Sequence, residues 1–277
     1  MKKLLLAVIV PVLLFSLVAA GCESSFDLAA RKRAAAGDVA QATTAEMTAM
    51  TGVDSKVEGI FMSSDGLTGA VVVKITAKDP KVSLLWAKIQ VSLKDAKGNE
   101  VGTNNLAGAL PVLIHLSSLP KGGEAYYVND QIILSGTPTT ADVIVDGVPA
   151  TVAIPKNLAV SKVQLVADPN LGKSWTTTVT NDSGVRQETI IVQAIVRKGD
   201  KVVGTGTAII NGLDADASAT VTGYFIGSSD GEVTVIAPPS NGPGGAGAEP
   251  EAPAGGGAGS TTGGSTPTAP AMTLQIN

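Results

Sequence analysis

The 277-residue chain contains one cysteine, one histidine and few aromatic residues, which make up 3% of the sequence. A Ser-His-Asp triad, a multi-histidine metal centre or a zinc cluster requires more of these side chains than His115 and Cys22 supply. The scarcity of aromatic rings also disfavours a sugar-binding face of stacked Trp and Tyr. The composition therefore predicts a non-enzyme that holds no metal ion and no cofactor.

Positive charge is also in short supply. The chain has 20 Lys and Arg against 24 Asp and Glu, and loss of residues 1–21, with two lysines and no acid, changes the net charge from −4 to −6. Because nucleic-acid binding depends on Lys and Arg neutralising phosphates, a nucleic-acid partner is not expected. With a single thiol, no disulfide can form within the chain, so its domains must be stable through apolar cores alone.

The first residues have the pattern of a signal peptide. Lys2 and Lys3 precede an apolar run from Leu4 to Ala20 that is somewhat short for a spanning helix of about 20 residues. The segment Val18-Ala19-Ala20-Gly21-Cys22 resembles a lipobox, the processing site of bacterial lipoproteins. The resemblance implies cleavage before Cys22 and diacylglycerol on its sulfur. A secreted protein cut after Ala20 and an uncleaved membrane anchor are the alternatives.

The rest of the chain is β-patterned until a low-complexity end. Between Trp86 and Asp95, apolar and polar residues alternate with the period of two that marks a half-buried strand. Further strands are predicted at Ala70–Thr76, Val112–Leu116, Glu124–Leu134, Asp142–Val145, Ala150–Ile154, Leu158–Ala167, Thr176–Asn181, Glu188–Arg197, Lys201–Ile210, Ala217–Ile226 and Glu232–Ala237.

These patterns divide the chain into five segments. We expect a signal peptide over 1–21, a lipid-anchored tether that can form a short helix over 22–54, β-sandwiches over 55–154 and 155–237, and a disordered tail over 238–277. Gly and Pro fill 17 of the 40 tail positions, which leaves too little apolar surface to offset the entropy of ordering. The last six residues, Met272–Asn277, alternate like a strand and offer a segment for sheet addition, although a frayed end is the default.

The two sandwich segments look like copies of one module. Val91–Thr103 and Ala194–Thr205 both read as a strand, a charged turn with Gly, and a short strand ending in Val-Gly-Thr. This pattern resembles the FxLYD type of bacterial Ig-like domain, with Val91-x-Leu93-Lys94-Asp95 at the position of the family pentapeptide. The resemblance implies small extracytoplasmic Ig-like sandwiches of antiparallel strands, often on lipoproteins, with no settled activity.

Several local motifs resemble catalytic or ligand-binding sequences. Ser118-x-x-Lys121 lacks the helix and companion motifs of acylating enzymes, and Gly204-Thr205-Gly206 lacks the third glycine of a dinucleotide loop. We interpret His115 as structural or edge-exposed. Trp86 and Trp175 stand early in the two copies and are expected to be core anchors, with ligand platforms as the alternative. The loop carboxylates, which are expected to be solvated rather than to bind calcium, are Asp182, Asp214, Asp216 and Asp230.

The sequence thus predicts an extracytoplasmic lipoprotein, held to a cell membrane through Cys22, that acts as a non-catalytic binding or positioning module for an envelope protein. Its ligand-binding residues cannot be named from the sequence, and no small-molecule ligand is indicated. Glu23, in place of the Asp that often retains lipoproteins in the inner membrane, favours the outer membrane of a two-membrane bacterium. The alternatives are a structural spacer and a hydrolase with two carboxylates about 5–10 Å apart.

Overall fold

A computed structural model describes residues 47–105, 113–168 and 172–240; Cys22, most of the tether and the chain beyond Ser240 lie outside these residues. Every named element in the described part is a strand, which confirms the all-β class, and no helix there is long and apolar enough to cross a bilayer. The strands are β1 Val53–Met62, β2 Thr68–Ala77, β3 Leu84–Lys94, β4 Glu100–Thr103, β5 His115–Leu119, β6 Glu124–Ile133, β7 Thr140–Asp146, β8 Ala159–Val160, β9 Gln164–Asp168, β10 Gly172–Thr180, β11 Gln187–Lys198, β12 Lys201–Leu213, β13 Ser218–Tyr224, β14 Ile226–Gly227 and β15 Glu232–Ile236.

The strands form four antiparallel sheets, and no sheet mixes described strands from the two halves of the chain. Sheet I contains β4, β3, β5 and β7, and sheet II has the order β1-β2-β6. Sheet III has the order β14-β12-β11-β15, and sheet IV contains β13, β10, β8 and β9. The first half therefore builds sheets I and II, and the second half builds sheets III and IV.

The four sheets stack in layers with apolar residues between each pair. The largest core cluster lies between sheets I and II, and a second, centred on Trp175, lies between sheets III and IV. A smaller cluster joins the halves, with Val72 and Val128 of sheet II against Ile195 and Val202 of sheet III. Strands β2 and β11 are therefore covered on both faces, which explains why Ala70–Val73 and Ile190–Val196 are buried without a break.

The alternation predicted for β3 is confirmed. Ala87, Ile89, Val91 and Leu93 are at most 2% exposed and belong to the core between sheets I and II, while the polar residues between them are half-buried. The strand predicted over Ala150–Ile154 is wrong, because only an isolated bridge at Pro149 precedes a connector without strand pairing. Pro149 and Pro155 flank this stretch, and proline cannot donate a ladder hydrogen bond.

The described contacts extend past both outer boundaries drawn from the sequence. Strand β1 begins at Val53, and the backbone N–H of Met50 donates to the Val145 carbonyl at 2.9 Å. At the other end Pro239 is buried, and the Ser240 N–H donates to Gln187 Oε1 at 2.8 Å. The folded part thus includes a few residues that the sequence assigned to the tether and the tail.

The structure shows the same local geometry in the two predicted copies. The β3–β4 and β11–β12 pairs have register shifts at equivalent positions, after Leu93 and after Val196. The Thr103 hydroxyl donates to the Val91 carbonyl at 2.9 Å, and the Thr205 hydroxyl donates to the equivalent Ala194 carbonyl at 2.7 Å. The Val-Gly-Thr sequence therefore specifies one bulged hairpin twice.

The copies differ by an insertion in the first. Strand β12 is continuous, whereas its counterpart is divided into β4 and β5. Tyr127 fixes the two ends of the inserted stretch: its hydroxyl donates to the Leu113 carbonyl at 2.5 Å and accepts from Asn104 Nδ2 at 2.8 Å. Burial raises the pKa of Tyr127 to about 12, so the hydroxyl keeps its proton. This anchoring places the start of β5, and with it His115.

Candidate functional site

A cleft of about 550 Å³ lies between the two sandwiches, a volume within the usual range of ligand pockets. One wall comes from β3, β5 and β6 of the first sandwich, and the other from β11 and residues 238–240. The connector at 152–157 runs along it. We call this the inter-sandwich cleft.

Trp86 and His115 form a stacked pair in the cleft, with ring centroids 5.2 Å apart and planes 10° from parallel. Trp86 has a φ of 55°, in the left-handed region that bulky residues rarely adopt. Leu84 and Ala87 both face the core although they are three residues apart, so the alternation of β3 is broken at Trp86. The backbone is strained at the point where it turns the indole toward the cleft, and such strain is concentrated at functional sites.

Gln193 places an unsatisfied amide oxygen in the wall of the cleft. The residue is 7% exposed, and its Oε1 atom has no hydrogen-bond partner among the described residues. An unsatisfied buried polar atom costs about 1–3 kcal/mol. Thr189 and Ile191, on the same face of β11, also line the cleft. Gln193 is thus suited to exchange a hydrogen bond with a ligand.

The charged groups at the cleft are mainly basic. Glu124, the one carboxylate among the described lining residues, is paired with Lys74 at 2.7 Å. Lys121 and Lys156 are exposed and make no ion pair with any described residue. The described lining therefore does not bring together the two carboxylates that a hydrolase of the glycosidase type requires.

Polar contacts beside the cleft join the two sandwiches. Arg197 Nη2 donates to Glu58 Oε2 at 2.6 Å and to the Tyr126 hydroxyl at 3.0 Å, and the guanidinium lies 5.4 Å from the centre of the Tyr126 ring. The hydrogen bond to Glu58 raises the pKa of Arg197. These contacts fix Tyr126, which lines the cleft, and set the positions of its two walls.

Asp130 supplies a second link between the sandwiches. Its carboxylate accepts from the Thr207 backbone N–H at 2.6 Å and from the Thr207 hydroxyl at 2.5 Å. Burial raises the pKa of Asp130 against the opposing effect of these hydrogen bonds. Keeping the buried carboxylate ionised therefore costs free energy of desolvation.

The two tryptophans lie in different environments, although the sequence predicted the same core role for both. Trp175 is fully buried in the core between sheets III and IV, as expected, but Trp86 is only half-buried and lines the cleft, so the core role predicted for Trp86 is wrong. The two tryptophans are not equivalent positions of the repeat, because the register that matches Val91 with Ala194 aligns Trp86 with Thr189. Trp175 lies in β10 instead.

The remaining candidate residues have local roles. Ser118 lies in β5 and Lys121 in the turn that follows, with no helix there, and the Gly204–Gly206 motif lies inside β12. Asp214 pairs with Arg186, and Asp230 pairs with Lys173 at 3.1 Å. No group of three metal-ligating side chains occurs in the described ranges.

The sequence analysis did not predict that Gln193, Tyr126 and Lys156 lie together in one site. They are far apart in the chain, and only the packing of sheet II on sheet III brings them together. The one local signal is a glutamine interrupting the apolar run of β11. No protein-family model matches the chain, and a search of curated proteins found no match either.

Proposed function

We propose that this chain is a lipid-anchored extracytoplasmic binding protein whose inter-sandwich cleft takes up a segment of an envelope protein partner. The observation that carries the binding role is the unsatisfied Gln193 amide oxygen in a cleft that also contains the strained Trp86. The lipobox-like segment ending at Cys22 supports the anchor and its extracytoplasmic side. The FxLYD-type, Ig-like assignment of the two sandwiches and an outer-membrane location belong to the same proposal.

The anchor is tested by Cys22→Ala. Acyl chains contribute about 0.8 kcal/mol per buried methylene, so two or more chains on one residue hold a protein firmly to a bilayer. We expect the variant to appear as a soluble or precursor form in cell fractionation, and intact mass spectrometry of the parent chain to show a lipidated Cys22. An unmodified thiol in the membrane fraction would contradict the anchor.

Partner binding is tested with a photo-crosslinking residue in living cells. Val152 lines the cleft and is 50% exposed, whereas Val166 in β9 is 48% exposed and lies outside it. We expect one partner adduct from a probe at 152 and none from a probe at 166. The adduct should also be lost when Trp86→Ala is added. Equal adducts at both positions, or none at 152, would favour a spacer without a specific partner.

A further inference from the structure

Strand β5 is an edge strand that lines the inter-sandwich cleft. Residues 115–118 of this strand belong to the cleft wall, and among the described strands β5 pairs with β3 alone. Its second edge is thus not paired with another described strand. Such an edge binds an extended peptide by adding it to the sheet, with affinity from main-chain hydrogen bonds. This mode of binding favours a polypeptide over a glycan or a lipid as the occupant.

The wall opposite β5 contains an acceptor that needs a donor. That wall is formed by β11 and residues 238–240, and the Oε1 atom of Gln193 there accepts no hydrogen bond from any described residue. The backbone N–H groups of an extended strand point alternately to its two sides. A peptide added to β5 would therefore direct some N–H groups toward β5 and others toward Gln193. One extended backbone can serve both walls, which an anion without N–H groups cannot do.

The charge at the cleft contrasts with that of the whole chain. The chain has a net charge of −4, whereas Lys121 and Lys156 at the cleft are exposed and pair with no described carboxylate. Lys121 lies in the turn that follows β5, so a peptide along that edge passes toward it. Glu124, which also lines the cleft, is already paired with Lys74. Complementary charge steers acidic segments to such a site and disfavours basic ones.

We propose that the inter-sandwich cleft recognises an acidic segment in extended conformation. The segment adds to the edge of β5, donates a backbone N–H to Gln193 Oε1, and pairs its carboxylates with Lys121 and Lys156. This inference rests on the proposed function, because it names the chemistry of the partner segment. Main-chain hydrogen bonds provide affinity for any extended peptide, and the two lysines select by charge.

Titration of the purified full chain with synthetic peptides tests the proposal, with tryptophan fluorescence as the readout. Trp175 is fully buried between sheets III and IV, so Trp86 is the indole that a peptide in the cleft contacts. The probes are heptapeptides of alternating threonine and alanine with two glutamates at every pair of positions, and matched sets with glutamine or lysine. The best glutamate peptide should bind about five- to twentyfold more tightly than its glutamine counterpart, as for two exposed ion pairs, and raised salt should reduce the difference.

Substitutions separate the contributions of charge and backbone. Lys121→Gln/Lys156→Gln should remove the preference for glutamate, and the matched variant Lys97→Gln/Lys198→Gln, at the two repeated hairpins, should retain it. Gln193→Met should weaken binding of glutamate and glutamine peptides alike by about fivefold, as for one hydrogen bond. Methylation of the backbone nitrogens of the best peptide should abolish binding, because both walls require its N–H groups.

Equal affinity for glutamate and glutamine peptides, tighter binding of lysine peptides, or no binding of any peptide would overturn the proposal. A glutamate preference that survives Lys121→Gln/Lys156→Gln, or full affinity of the methylated peptide, would also overturn it. If the Val152 adduct forms in cells but the peptides show no preference, only the acidic, extended chemistry is wrong. If glutamate peptides bind as expected but no Val152 adduct forms, only the envelope-partner function is wrong.

Discussion

Two buried glutamines on β11 show how the same residue type can serve stability or binding. The side chain of Gln187 is fully buried and satisfied, with Nε2 donating to Ser183 Oγ at 2.9 Å and Oε1 accepting from Ser240. Gln193 is almost as buried, but its Oε1 has no described partner. A buried amide oxygen that accepts no hydrogen bond destabilises the free protein, and a bound ligand that donates to it offsets that cost.

This contrast predicts opposite effects of one substitution on the two glutamines. Gln193→Met removes an unsatisfied amide oxygen, so the free energy of unfolding should stay constant or rise by about 1 kcal/mol. Gln187→Met breaks satisfied hydrogen bonds and should lower it by about 2 kcal/mol. Urea denaturation of both variants measures the difference. Equal destabilisation by the two would show that the Gln193 amide is paired in the free protein.

At the scale of strands, two positions of the repeated hairpin require glycine because another backbone segment lies close to each of them. A Cβ on Gly204 would lie 2.1 Å from the Ser228 carbonyl oxygen, and one on the equivalent Gly102 would lie 2.9 Å from the Ile133 carbonyl oxygen. Neither glycine has a positive φ, so the requirement is one of space. In each copy the glycine of Val-Gly-Thr thus leaves room for a backbone segment from outside the hairpin, which at Gly204 is the paired strand β14 and its next residue.

We therefore expect Gly204→Ala to lower the free energy of unfolding by about 3 kcal/mol, because backbone must move to relieve the overlap. Gly102→Ala should cost about 1 kcal/mol, since the same contact is looser there. The reverse order in chemical denaturation would contradict the assigned contacts.

At the scale of the whole molecule, the link between Asp130 and Thr207 makes the packing of the two sandwiches depend on pH. The pKa of Asp130 is raised on folding, so the native state favours the protonated form. Asp130 therefore contributes most to the free energy of unfolding at pH values below its pKa in the unfolded chain. This contribution is lost as the pH rises through its pKa in the folded protein. This pH dependence is opposite to that of ion-paired carboxylates, whose protonation at low pH usually destabilises a protein.

Asp130→Asn removes the titrating carboxyl group but retains one side-chain oxygen that can accept a hydrogen bond from Thr207. The stability of the variant relative to the parent should therefore increase between about pH 3 and pH 7, as measured by urea denaturation at each pH. A relative stability of the Asp130 variant that falls with pH would show that the folded pKa is lowered instead.

The sequence by itself determined the all-β class, the core face of β3 and the repeated hairpin, because alternation and turn residues act over short stretches of chain. It did not reveal the site. The broken alternation at Trp86 depends on a strained backbone, the position of His115 depends on an insertion anchored by Tyr127, and the neighbours of Gln193 come from the other sandwich. That sheet II covers sheet III was decided only by tertiary packing. No local sequence pattern indicates that the four apolar side chains buried at this interface face each other.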